Sequence, residues 1–162
     1  MSSTNAIGLP IFPRFDGYVC AGDSVEIQVG PLRIRARIVH DPHQSIDDDD
    51  VHKVDDDEAW TGWEGAEEVR EKCREAREAW FRDEWFYCGV VLDVLIGDTV
   101  LEKNAASLWG IEANYPGGTN AYLSEVADEL THEALDAVAS RIHETHQGLR
   151  SAAQLIDSLY KG

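Results

Sequence analysis

The sequence predicts an α+β domain built on an antiparallel sheet of two β-hairpins, with helices packed on one face. Three observations carry that expectation. Residues 24–38 alternate apolar and polar around Gly30-Pro31. Residues 85–96 form a dense apolar run that ends at Gly97-Asp98. Apolar residues then recur at intervals of three and four on either side of that run. The element order reads β-β-α-β-β-α-α, which favours helices laid on an antiparallel sheet.

The 162 residues suit a single domain spanning 1–162. Residues 1–23, with Pro10 and Pro13, read as an irregular lead-in. In the first hairpin Val25, Ile27 and Val29 share one face, and Leu32, Ile34, Ala36 and Ile38 continue it. Arg33, Arg35 and Arg37 alternate with them, so a slip of one residue would bury three guanidinium groups. Internal pairing with the chain's own carboxylates is the favoured fate of this arginine stripe; a partner's phosphate or carboxylate is the other.

Residues 41–63 read as an acidic, mobile loop, because apolar residues are sparse and adjacent carboxylates repel. Helix periodicity begins near Glu64, with Ala66, Val69, Cys73, Ala76 and Trp80 on one stripe. The strongest strand is 85–96: Phe86, Cys88, Val90, Leu92, Val94 and Ile96 on one side, Trp85, Tyr87, Gly89, Val91, Asp93 and Leu95 on the other. A partner strand follows over 99–111. Pro116-Gly117-Gly118 breaks the chain, and a helix starts near Asn120. Gly148 is expected to separate it from a last helix carrying Leu149, Ala152, Ile156 and Leu159.

The charge is uneven. The chain holds 31 acidic and 14 basic side chains, a net of −17. Residues 1–40 carry 3 acids and 4 bases, residues 41–84 carry 17 and 6, and residues 85–162 carry 11 and 4. Such an excess argues against holding nucleic acid directly or docking on anionic membranes. No run of 18 apolar residues is present, and the first residues lack the basic and apolar regions of a secretory signal. Cys20, Cys73 and Cys88 have no CxxC spacing, so they read as buried apolar side chains in a reducing, bacterial cytoplasm.

Motifs for chemistry are missing: there is no phosphate loop, dinucleotide fingerprint or nucleophile elbow. A calcium loop starting at Asp47 would place Asp49 and Glu58 well, but it puts Val51 and His52 where a ligand and the turn glycine belong. His40, His43 and His52, and the pair His143 and His146, lack the further ligands of a metal centre. The expectation is a protein that is not an enzyme and takes no cofactor and no metal.

The segments Asp83–Val91, Ala106–Glu112, Tyr122-Leu123 and Val126–Leu130 resemble a family of small acidic proteins from phages and prophages. The resemblance covers residues 83–130. It implies a mobile element in a bacterial host, and no functional residue is carried over from it. Small acidic proteins of this kind suggest a strategy in which carboxylates stand where a nucleic-acid-binding protein expects phosphates. The partner would be a basic host protein, either nucleic-acid-binding or defensive. The expected partner-binding residues are Asp47, Asp48, Asp49, Asp50, Asp55, Asp56, Asp57 and Glu58, with Glu67, Glu71 and Glu75 on the helix. Trp60 and Trp63 beside them would serve an alternative, a scaffold domain held by aromatic anchors. A weak metal-binding protein is a further alternative.

Overall fold

The computed structural model describes residues 8–48 and 60–160. The chain is α+β, with a four-stranded antiparallel sheet in the order of the sequence. β1 spans Ser24–Val29 and β2 spans Leu32–His40. They pair Ile27 with Ile34 and Glu26 with Arg35, the expected register. α1 (Ala66–Phe81) precedes a second hairpin of β3 (Phe86–Ile96) and β4 (Thr99–Ala113). β2 joins the two hairpins by pairing along β3 from Leu32↔Ile96 to His40↔Cys88. The fourth strand runs longer than the third because it bulges against it at three places. Asn104 and Gly110 take positive φ there (54° and 72°) and re-aim the strand.

The main core lies on the face of Ile34, Ala36, Ile38, Cys88, Val90, Leu92 and Val94. α2 (Ala121–Tyr160) covers it with Leu123, Val126, Ala127, Ala134 and Val138. The lead-in supplies more than its irregular sequence suggests. Phe12, Phe15 and Val19 are buried in this core. Side chains hold its backbone where no sheet ladder does. Phe12 N–H donates to Asp128 Oδ1 at 2.7 Å, Phe15 N–H to Ser124 Oγ at 3.0 Å, and Val19 N–H to Asn114 Oδ1 at 2.8 Å.

Two details depart from the sequence reading. The last two expected helices are one helix of 40 residues that runs through Gly148. A glycine inside a helix costs only about 1 kcal/mol, and the apolar spacing stays in phase across it through Thr145, Leu149 and Ala152. Nor do both helices lie on one face. α1 meets the opposite side, where Ile46, Ala79, Trp85 and Tyr87 form a second small cluster. Trp85 Nε1–H donates to Ala76 O at 2.7 Å and fixes that contact. Ile46 is fully buried, so residues 41–48 are tied to the body, against the expectation of a mobile loop from residue 41. Cys73 and Cys88 are buried as expected, whereas Cys20 is exposed. Burial, with the charge of Asp41 adding to it, pushes the Cys88 thiol up to about 12.

The arginine stripe pairs internally. Arg35 Nε lies 2.7 Å from Glu26 Oε1, and Arg33 lies between Glu26 and Asp98 at 3.7 Å from each. Arg37 grips the buried Asp93 through Nε at 2.6 Å and Nη2 at 3.1 Å, and also reaches Asn104 Oδ1. The Asn104 backbone N–H donates to the same carboxylate at 2.9 Å. Burial alone would raise the Asp93 pKa; the bonds from Arg37 and Asn104 and the charges of Arg37 and Arg35 outweigh it and hold the group below its usual value.

Two outcomes test this arrangement. Ile34→Asp should cost about 4 kcal/mol or more, because it places an unpaired carboxylate in the core; Arg35→Ser should cost within about 1 kcal/mol. Thermal melts showing equal effects would refute the register. Asp93, with its depressed pKa, contributes stability that is full above the unfolded value near 4 and fades as pH falls through the folded value below it. Arg37→Met should therefore destabilise the neutral protein by about 3 kcal/mol. It should also shrink the stability lost between about pH 6 and 2, read from denaturation midpoints, because without Arg37 burial pushes the folded Asp93 pKa back up and the group no longer titrates below its unfolded value.

Candidate protein-interaction surface

The nominated partner-binding residues divide between two settings. Asp49, Asp50, Asp55, Asp56, Asp57 and Glu58 lie outside the described residues. Asp47, Asp48, Trp60 and Trp63 mark the described ends of the acidic segment, and Glu67, Glu71 and Glu75 stand exposed on α1. Both ends are fastened to α1. At one end Ile46 packs beside Ala79, and Asp47 pairs with Arg77. At the other, Ala66 N–H donates to Trp63 O at 3.4 Å, and the Trp60 and Trp63 rings lie 6.3 Å apart. Trp63 is half exposed.

α1 is less acidic than its glutamates suggest. Five carboxylates and four cations share its sixteen residues. Lys72 Nζ lies 2.8 Å from Glu68, and Arg74 pairs with Glu71. The hydrogen bond to Lys72, and then its charge, lower the Glu68 pKa. Glu67, Glu71 and Glu75 do follow one another along a single face, opposite the buried Ala66, Cys73 and Ala76. Of the three, Glu71 pairs with Arg74.

A feature the sequence reading passed over lies beside the acidic segment. Gly89 interrupts the apolar run of β3, and Trp109 lies flat across it. A Cβ at Gly89 would stand 2.5 Å from Trp109 Cε3. Trp109 is held in place by Nε1–H donating to Ser107 Oγ at 3.1 Å, yet 46% of it remains exposed. Asp41, buried behind it, accepts from Gly110 N–H at 3.1 Å and from His43 N–H at 3.0 Å. Its own backbone N–H donates to Tyr87 O at 2.9 Å, so this one residue, through its carboxylate and its backbone, links the segment after β2 to β3 and β4. Trp109, His40, Pro42 and His43 line a groove of about 550 Å³, with His40 stacked on Phe86. The sequence signal was available: a glycine in a strand interior marks a close approach.

His143 and His146 lie on the exposed part of α2, and His143 Nε2 contacts Gln147. Among the described residues no group of three His, Cys, Asp or Glu side chains converges to hold a metal ion. Among them, too, no helix is long and apolar enough to cross a membrane. No family model matches the chain, and neither a curated protein nor a solved structure matches it.

The Trp109 platform yields a clean test. Gly89→Ala should destabilise the protein by about 1–3 kcal/mol through overpacking. In a Trp109→Ala background the same change should be close to neutral, and chemical denaturation of the four-member cycle should return that coupling. Additive effects would disprove the close approach.

Proposed function

We propose that this chain is a non-catalytic, acidic interaction protein that engages a basic site on another protein through residues 47–58. One observation supports the reading above others. The described body spends its cations on its own carboxylates, from Arg33, Arg35 and Arg37 on the sheet to Arg74, Arg77 and Arg82 near α1. The densest run of acid in the chain, 8 acids and 1 base over residues 47–58, begins beside the body where Ile46 packs against Ala79 and is followed by Trp60 and Trp63 at the start of α1. Such a charge cluster attracts a channel made for phosphates by the same field that attracts nucleic acid. A nucleic-acid mimic acting on a host nucleic-acid-binding or defence protein is the specific form of the proposal, in keeping with the resemblance to phage and prophage proteins.

The alternative, a scaffold held by aromatic anchors, draws on different residues. Trp63 and Trp109 are both half exposed, and Trp109 borders a groove. Exposed tryptophans of this kind dominate interfaces by desolvation. Such binding persists in high salt, whereas charge steering fades as screening shortens to about 8 Å at physiological ionic strength.

Replacing Asp47, Asp48, Asp49 and Asp50 together with Asn should slow association with a basic partner more than it speeds dissociation. The wild-type chain should displace DNA or RNA from that partner, and raising salt should weaken the complex. Adding Glu67→Gln, Glu71→Gln and Glu75→Gln should slow association further, the expected result where the segment and this helix face meet one channel. Stopped-flow association and a nucleic-acid competition assay, each run across salt concentrations, check these four outcomes. A partner that binds the Asn variant at the wild-type rate and keeps its nucleic acid while bound refutes mimicry and favours the aromatic anchors.

A further inference from the structure

α2 continues past its last buried residue, first alongside the start of β4, where Arg141 lies 3.8 Å from Glu102, and then beyond it. Its apolar stripe is buried as far as Val138, and every residue from Ala139 to Tyr160 is exposed. That overhang of 22 residues extends for about 33 Å. The stripe does not stop at Val138: Ile142, Leu149 and Ile156 recur every seven residues, with Thr145, Ala152 and Leu159 between them. This alternation of three and four is the pattern of a helix that packs against another helix. The overhang also contains Gly148, Ser140, Thr145 and two histidines, poor formers of an unsupported helix. Packing is what sustains such a segment.

Charge allows that other helix to be a second copy, and the spacing of its own residues complements it. Residues 139–160 hold Arg141 and Arg150 against Glu144 and Asp157, a net of zero within a chain of −17. A basic partner gains nothing there, and an acidic one is not repelled. The overhang is thus a place where a second copy of this same acidic chain can approach. We propose that the overhang forms a two-fold antiparallel helix pair with a second copy. An antiparallel pair sets the two acidic bodies at opposite ends, where screening over about 8 Å removes their repulsion. A parallel pair would press them together.

The residues fit that direction. Laying Leu149 opposite the partner copy's Ala152 brings Thr145 opposite Ile156 and Ile142 opposite Leu159. Large then meets small in the central layers, which lets the helices close. The same register explains a groove of about 370 Å³ between the β3–β4 turn and α2, lined by Val100, Ile142 and Leu149. The end of the second copy's helix falls there. Val100 is 49% exposed and Leu159 70% exposed, and each would cover the other. The pairing is independent of the acidic segment, and salt separates the two: screening should leave this self-association intact or tighten it while weakening binding to a basic partner.

Sedimentation equilibrium on the full chain carrying Cys20→Ser should show a dimer at micromolar concentrations. Leu149→Lys and Ile156→Lys together should raise its dissociation constant by about tenfold or more. Their positions are exposed in the single chain, so the thermal melt of the monomer should stay the same. Val69→Lys, an exposed apolar position on α1, should leave the dimer unchanged. Direction is read by cross-linking. Ile142→Cys chains mixed with Leu159→Cys chains should form a disulfide, and Ile142→Cys chains alone should not. A monomer at all accessible concentrations, a dimer indifferent to the two lysines, or an Ile142→Cys homodimer disulfide would each overturn the proposal.

Discussion

β3 is buried on both faces from Tyr87 to Leu95, and a strand in that position requires two covers. The first is conventional. α2 and the lead-in close over Cys88, Val90, Leu92 and Val94, with Phe12, Phe15 and Val19 filling what one helix leaves open. The second cover is assembled from side chains. Trp85 and Tyr87 are capped by α1, Gly89 by the ring of Trp109, and Val91 and Leu95 lie among the arginines of β2. Asp93 is the one acidic residue in that run, and it is tolerated because Arg37 and the Asn104 N–H both reach it. The bulges of β4 follow from this demand. A straight strand would aim Trp109 and Asn104 elsewhere.

The sheet was legible from the sequence because its signal is period two, and a one-residue error would have buried Arg33, Arg35 and Arg37. The role of the lead-in was not. Phe12, Phe15 and Val19 follow no period, since Asp128, Ser124 and Asn114 hold that backbone in place of a ladder. Such bonds join residues about a hundred positions apart, and local pattern cannot register them. Gly148 misled for the opposite reason: the local breaker signal was present, but the apolar phase running through it decided the outcome. The Trp109–Gly89 contact had a visible half, the glycine, and a hidden half, the bulge that delivers the ring.

Net charge was the clearest sequence signal and the most easily misplaced. A count over residues 41–84 merges two kinds of acid. The glutamates of α1 are interleaved with Arg70, Lys72, Arg74 and Arg77, so the helix is nearly neutral as a body. Asp41 is structural, buried and committed to two backbone donors. Of the net −11 over residues 41–84, −7 falls on residues 47–58. Pairing therefore redistributes the charge, because each internal ion pair removes a local field that a plain residue count would include.

The same unevenness organises the two ends of the molecule. Repulsion between carboxylates grows as they are brought together, so a chain of −17 can associate with its own kind only where its charge is locally absent. The exposed end of α2 is such a place, and it begins beside the start of β4 rather than beside α1. Apolar spacing supplies the attraction there, and local neutrality permits it. At the acidic segment the balance is reversed. Apolar side chains are few, Coulomb attraction acts over a longer range, and only a partner of opposite sign gains from it. A single sequence thus separates a self-compatible surface from a self-repelling one by where it places four arginines and lysines on α1 and how few charges it leaves on the last six turns of α2.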